Sequence, residues 1–196
     1  MERPIILVED TRQKIGYHDH VSSYCSERGI RMIRAKLDYG DYVILRVPDE
    51  TEDVDGWITT IKPKIYERTN GVCVDTKYGL LEVYNNLVHE HDRVAAECDN
   101  AHAIGVKIVF LVEEPFVESL DGVRNWINPL YARYKKLVIG QKYGRYMGTK
   151  KPTKPPIPSD RLEKMMRTFA DHHHCEWQFC DRFHTGEKLQ EILIGD

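Results

Sequence analysis

Short apolar runs alternate with stretches of helical periodicity along this chain. Pro4-Ile5-Ile6-Leu7-Val8 is long enough for a buried strand and too short for a helix, and it ends in Glu9-Asp10-Thr11-Arg12. Val21 to Arg28 predicts a helix closed by Gly29. Ile30 to Leu37 then alternates apolar and basic side chains, as a half-exposed strand does. Asp38-Tyr39-Gly40-Asp41-Tyr42 predicts a tight turn into a strand over Val43–Val47, so Asp41 stands where that strand begins. Pro48–Gly56 carries five acids and predicts a solvated loop, and Trp57–Ile61 predicts an added strand. Asn70-Gly71 is a turn signal leading into Val72-Cys73-Val74-Asp75-Thr76-Lys77, a strand whose run ends at Gly79. An outgoing Val43–Val47 and a returning Val72–Lys77 can pair antiparallel, which would bring Asp41 and Asp75 to one end.

Leu80, Val83, Leu87, Val94, Cys98 and Ala101 keep a helical repeat, interrupted at His89-Glu90-His91-Asp92 and closed by Gly105. Val106–Val112 is the strongest strand signal, and it too ends in acids, Glu113-Glu114. Leu120–Lys136 has helical features broken at Pro129. A capping signal at Ser159 opens a helix with Leu162, Met165, Met166 and Phe169 on its apolar face. An apparent strand, Glu176–Phe179, and a last helix, Thr185–Ile194 with its own N-cap, complete the pattern. The alternation implies an α/β fold, a mixed sheet covered by helices on both faces, in a single domain over 1–196. Within it, 1–114 reads as the core, 122–159 as a basic Gly- and Pro-containing segment, and 159–196 as a closing helix-strand-helix.

Composition narrows the class. A hydrophobic content of 41% with 30% charged residues fits a soluble globular chain. No apolar run approaches a membrane span, and Met1-Glu2-Arg3-Pro4 lacks a signal-peptide pattern. Five cysteines, odd in number and without Cys-x-x-Cys, favour reduced thiols and a cytoplasmic location. The net charge of −3 conceals an asymmetry, because Gly122–Ser159 holds nine Lys and Arg and no acid. An acidic body with one basic segment suggests a polyanion partner; a solvated insertion with incidental charge has the same composition. Gly140, Gly144 and Gly148 are interleaved there with Lys142, Tyr143, Arg145 and Tyr146, ahead of Lys150, Lys151 and Lys154. Basic and aromatic side chains among glycines suit a nucleic-acid backbone and its bases. The same glycines lack phosphate-loop spacing, so no nucleotide cofactor is expected.

Candidate chemistry centres on Asp75 and Lys77, which a strand presents on one face. A carboxylate and an ammonium at the end of a buried strand are costly to desolvate. A divalent cation held by Asp75 beside a phosphate would account for them, and so would an ordinary ion pair at the rim of a sheet. His89 and His91 lack the spacing that sets two imidazoles on one helix face, and they read as a solvated helix turn. In the cluster His172-His173-His174-Cys175 with Cys180, the strand between the cysteines would point them to opposite faces, against a shared zinc.

The succession Leu7-Val8-Glu9-Asp10-Thr11-Arg12, Leu37-Asp38-Tyr39-Gly40-Asp41-Tyr42-Val43, Val74-Asp75-Thr76-Lys77 and Ile108–Glu113 resembles the nuclease domain of the XPF-type structure-specific endonucleases, of the restriction-endonuclease-like superfamily. The match runs from Pro4 to Glu114. It implies a restriction-endonuclease-like three-layer α/β/α fold and Mg²⁺-dependent hydrolysis of DNA, with Mn²⁺ able to substitute, on branched repair or recombination intermediates. Asp41 resembles the family's metal-binding Asp after Gly, and Asp75 and Lys77 the outer members of its Glu-Arg-Lys triplet. Asp10 and Arg12 resemble the upstream acid and the Arg that follows it. Glu82 matches the trailing acid, displaced by one residue. Asp10, Asp41 and Asp75 are thereby the expected metal ligands, and a homodimer is expected only by analogy.

Thr76 replaces the family's Arg, Gln13 sits where an acid is common, and about twenty extra residues separate the two halves of the motif. No tandem helix-hairpin-helix domain is visible, and the basic segment would substitute for it. In these respects the chain resembles stand-alone versions from phages or bacteria. A non-catalytic DNA-binding or scaffolding subunit is the alternative that Thr76 leaves open.

Overall fold

The apolar runs condense into one sheet. A computed structural model describes residues 5–14, 16–48, 51–142 and 154–194. Strands β1 (Ile5–Asp10), β2 (Arg31–Ala35), β3 (Tyr42–Arg46), β4 (Val72–Lys77), β5 (Lys107–Glu113) and β6 (Glu176–Cys180) lie in the order β2-β1-β3-β4-β5-β6. β1 runs parallel to β2, β3 is antiparallel to both β1 and β4, and β4, β5 and β6 are mutually parallel. β2, at one margin, carries Arg31 and Arg34.

Period-two alternation divides the strand side chains between two cores. Ile6, Val8, Val43, Leu45, Cys73, Ile108, Phe110 and Val112 face α2 (Val54–Ile61), α3 (Leu80–His89), α4 (His91–Ala103) and α6 (Ser159–His173). Leu7, Tyr42, Ile44, Val74, Val109 and Leu111 face α1 (Asp19–Glu27) and α7 (Thr185–Ile194). The result is a three-layer α/β/α arrangement around a central mixed sheet. Among the described residues no helix is long and apolar enough to cross a membrane, and all five cysteines are free.

Several local expectations are corrected. Trp57–Ile61 is helical, within α2: Val54, Trp57, Ile58 and Ile61 share a face at helical spacing, and the Asp53 carboxylate caps the start by accepting from Gly56 N at 2.9 Å. Pro129 does not interrupt a helix but begins one, α5 (Pro129–Lys142), where its missing N–H costs nothing, and that helix continues through Gly140. Ahead of it Leu120–Asn125 is a 3₁₀ turn. Neither Ser159 nor Thr185 caps its helix. Ser159 Oγ donates to Trp126 O at 2.6 Å, and Thr185 Oγ1 turns inward to donate to Glu113 Oε1 at 2.7 Å.

At the carboxyl ends of β1 and β5, on the α1/α7 face, lies a buried polar cluster. Glu9 pairs with Arg34 at 2.8 Å and accepts from the Tyr42 hydroxyl at 3.1 Å. His18 Nδ1 stands 3.8 Å from Glu9, and His20 Nε2 3.4 Å from Glu113. Burial pulls the His18 imidazole below its ordinary range, a shift that Glu113 opposes and that His20 and Arg182 reinforce.

Two outcomes follow from this packing. Gly40 has φ +64°, and a Cβ there would stand 3.0 Å from Val74 O and 3.1 Å from Cys73 Sγ. Gly40→Ala therefore costs on the order of 1–3 kcal/mol in urea unfolding. In acid, the unfolded chain binds a proton at His18 more readily than the folded one, so that residue's contribution to stability falls as pH drops below 6.5. Melting temperatures measured from pH 7 to pH 5 should decline less steeply in His18→Asn than in the natural protein.

Candidate active site

Asp41 organises the strand ends through its backbone. Its N–H donates to Val74 O at 2.7 Å, and its carbonyl accepts from Asp10 N at 2.8 Å. β3 and β4 meet at the pair Tyr42–Val74, one residue from both carboxylates. The antiparallel pairing expected from sequence is present, and Asp41 and Asp75 line one open pocket of about 290 Å³ with Asp10, Arg12, Lys77 and Glu82. The extra residues between the motif halves form α2 and the following 3₁₀ turn (Lys62–Arg68) and leave this meeting point intact.

The carboxylates differ in their surroundings. Asp41 Oδ2 accepts from both Thr76 N (2.8 Å) and Thr76 Oγ1 (2.6 Å), while Oδ1 accepts from the Gln13 amide. Burial raises its pKa, and the Thr76 bonds and Lys77 oppose that rise. Asp75 is buried beside Lys77, whose ammonium bonds its Oδ1. Burial pushes the Asp75 carboxyl up to about 6 against the pull of Lys77, with Asp41 adding to the rise. Lys77 stays on the charged side: burial alone would lower its pKa, but Asp75 and Glu82 overcome that. The pair is thus a buried one, with Lys77 Nζ 5.3 Å from the Phe110 ring centroid, and not an ion pair at a rim.

The remaining expected residues have structural partners. Asp10 Oδ2 accepts from Arg12 Nε at 2.5 Å and its Oδ1 from Leu37 N at 3.2 Å. Arg12 Nη2 also donates to Leu37 O at 2.7 Å, so both residues brace the loop that carries Asp41. Glu82 accepts from Tyr78 N at 2.8 Å, while its other oxygen lies 4.0 Å from Lys77 Nζ.

Sequence reasoning missed Glu97 and Arg93, which line the same pocket from α4. Burial, followed by Asp75, raises the pKa of Glu97, and Lys77 and Arg93 oppose that rise. Arg93 Nη1 donates to Glu97 at 3.3 Å. Their spacing of four is the one sequence signal available, and it reads as an ordinary surface helix pair.

The side chains of this pocket able to ligate a metal offer oxygen, from Asp10, Asp41, Asp75, Glu82 and Glu97, a set that suits a hard divalent cation. The named hydrogen bonds use three of the four lone-pair positions of Asp41 and one of Asp75, leaving room for coordination. Among the described residues no three His, Cys, Asp or Glu side chains form a ready metal cluster. Two carboxylates are nonetheless an ordinary protein share for Mg²⁺, which keeps waters and phosphate oxygens as its other ligands. The histidines form no such set either, although His91, His172 and His173 share one pocket. His91 packs edge-on against Phe169, His89 against Tyr84, and His173 faces Asp99 at 2.9 Å. Cys175 and Cys180 enter opposite cores.

Of the basic segment, Tyr143, Arg145, Tyr146, Lys150 and Lys151 lie outside the described residues, as does the side chain of Lys142. Lys154 lines a groove of about 910 Å³ together with Tyr131, Arg133, Tyr134 and Arg161, and no carboxylate contributes to its described lining.

No protein-family model matches the chain, and no curated protein matches it by sequence. Solved structures do. XPF from Aeropyrum pernix aligns over 96% of this chain with a TM-score of 0.50 at 15% identity. The same protein in complex with DNA aligns over 98% with a TM-score of 0.50 at 16% identity. This chain spans 63% and 64% of the lengths of those two chains. The shared architecture is the restriction-endonuclease-like fold.

Proposed function

We propose that this protein is a Mg²⁺-dependent endonuclease that hydrolyses phosphodiester bonds in DNA of branched structure. The observation that carries the reading is the convergence of Asp41, Asp75 and Lys77 in one open pocket at the strand ends of a restriction-endonuclease-like sheet. The solved structure of this fold in complex with DNA, and a groove beside Lys154 whose described lining holds no carboxylate, support DNA as the polyanion.

Asp41 and Asp75 would hold Mg²⁺, which supplies Lewis acidity toward a phosphate oxygen and a more acidic water. Thr76 and Gln13 aim the Asp41 carboxylate by fixing three of its acceptor positions. Lys77, kept protonated by the acids around it, orients the attacking water and stabilises the charge that builds on the phosphate. A cation in that state is a poor general base, so proton removal from the water falls to solvent or substrate oxygen. Asp10 and Arg12 act at one remove, by positioning the loop before Asp41.

A second reading, a non-catalytic DNA-binding subunit, draws on Gln13 and Thr76. Three donors already satisfy acceptor positions of Asp41 without a metal, and Gln13 supplies one where the family commonly has an acid.

Cleavage of a panel of branched and linear DNAs with Mg²⁺ separates the readings. Asp41→Ala, Asp75→Ala and Lys77→Ala should each lower cutting by on the order of 10²-fold or more, with circular dichroism showing the fold retained. Full activity of Asp75→Ala would refute the nuclease reading. Metal binding should also depend on pH in a stated direction. A protonated Asp75 cannot ligate, so Mg²⁺ affinity falls as pH drops through about 6, by roughly tenfold per unit below it. Without metal, the raised Asp75 pKa makes its contribution to stability shrink as pH rises from 3.8 to about 6. Mg²⁺ should therefore raise the melting temperature more at pH 7.5 than at pH 5.

A further inference from the structure

Arg161, Lys164, Met165, Thr168, Phe169 and His172 recur at helical spacing along one face of α6. With Leu87 of α3 and His91 of α4 opposite, they line a pocket of about 390 Å³. Its floor is apolar, from the buried side chains of Leu87 and Phe169. Two imidazoles flank the Phe169 ring: His91 stands edge-on to it with centroids 5.4 Å apart, and His173 lies 4.6 Å away at 44°. Each imidazole is held at one nitrogen, His173 Nδ1 2.9 Å from Asp99 and His91 Nδ1 3.3 Å from Asp92.

The charge around this floor is one-sided. No Asp or Glu contributes to the described lining, and among the described residues neither Arg161 nor Lys164 lies within ion-pair distance of a carboxylate. Glu163, on another side of the same helix, is taken by Arg124 and Arg167, and Arg167 also by Asp121. A single exposed lysine is an ordinary surface residue. Two unpaired cations over a buried aromatic floor make a concave site with convergent polar groups, which is how a small ligand is held.

We propose that this pocket binds a small organic phosphate, a phosphate monoester carried on a planar ring. The ring would lie on Phe169 between the imidazoles, and the phosphate would accept from Arg161, Lys164 and the Thr168 hydroxyl. Charge selects the ligand, because a phosphate monoester carries about −1.5 to −2 near neutral pH and meets two fixed cations, whereas a carboxylate carries a single charge. A metal ion would be repelled by the same cations, and among the described residues no three potential ligands here could hold one. The pocket shares no lining residue with the strand-end pocket of Asp41 and Asp75, so binding here requires nothing from the nuclease chemistry.

The test is isothermal titration calorimetry without divalent metal, with phenyl phosphate, benzoate and inorganic phosphate as probes. Phenyl phosphate should bind at least about tenfold more tightly than either of the others, since it alone combines the ring with the doubly charged group. Lys164→Ala should lower that affinity about tenfold, and Lys164→Glu should lower it further. Lys164 is exposed, and matching melting temperatures would show that both variants fold. Asp41→Ala should bind phenyl phosphate like the natural protein. No saturable binding by the natural protein, undiminished binding by Lys164→Ala, or equal affinity for benzoate would each overturn the organic-phosphate site and leave the nuclease reading standing. Loss of binding in Asp41→Ala would move the ligand to the strand-end pocket and overturn it equally.

Discussion

The candidate site depends on the peptide groups of Asp41. By donating to β4 and accepting from the last residue of β1, one residue ties three strand ends that are far apart in sequence. Gly40 makes the approach possible, since any larger residue would run into the backbone and thiol of β4. Once the strands are so joined, alternation along β4 decides the rest. Asp75 and Lys77 fall on the face beneath α3 and α4, and Val74 on the other. The pocket is thus a consequence of sheet register, which is rigid, and not of loop conformation.

Burial gives the pocket its electrostatic character. Removing a carboxylate and an ammonium from water costs several kcal/mol each, and their mutual attraction offsets this only in part. Here burial is the main cause of the rise in pKa at Asp75, Asp41 adds to it against the pull of Lys77, and the pocket is lined by five acids and three basic side chains. Such an arrangement is a poor way to stabilise a fold and a good way to attract a divalent cation. The opposite face of the same strand ends shows the contrasting solution. There Glu9 and Glu113 are matched by Arg34, Arg182 and hydroxyl donors.

Sequence pattern reached this site because the decisive residues lie next to strong strand signals. Ile5–Val8 and Val106–Val112 are legible from apolar content alone, and the turn at Gly40 fixes where Asp41 must stand. The errors came where two physical readings share one sequence. Trp57-Ile58-Thr59-Thr60-Ile61 is β-branched enough to suggest a strand, yet Val54 and an Asp53 cap extend it into a helix. Ser159 and Thr185 have the chemistry of caps, but each spends its hydroxyl on a tertiary partner instead. Glu97 was invisible for a different reason. Its role comes only from the path of α4 over the end of β4, and no local spacing records that path.

The margin of the sheet at β2 has a consequence for how copies of this chain meet. An unpaired strand is a template onto which another strand can add, the first step toward amyloid. β2 is five residues long, and its two arginines are already engaged, Arg31 with Asp55 and Arg34 with Glu9 and the Gln13 carbonyl. A newcomer would have to displace these pairs and desolvate both cations for a handful of ladder bonds. Fibre growth from this margin is thereby discouraged.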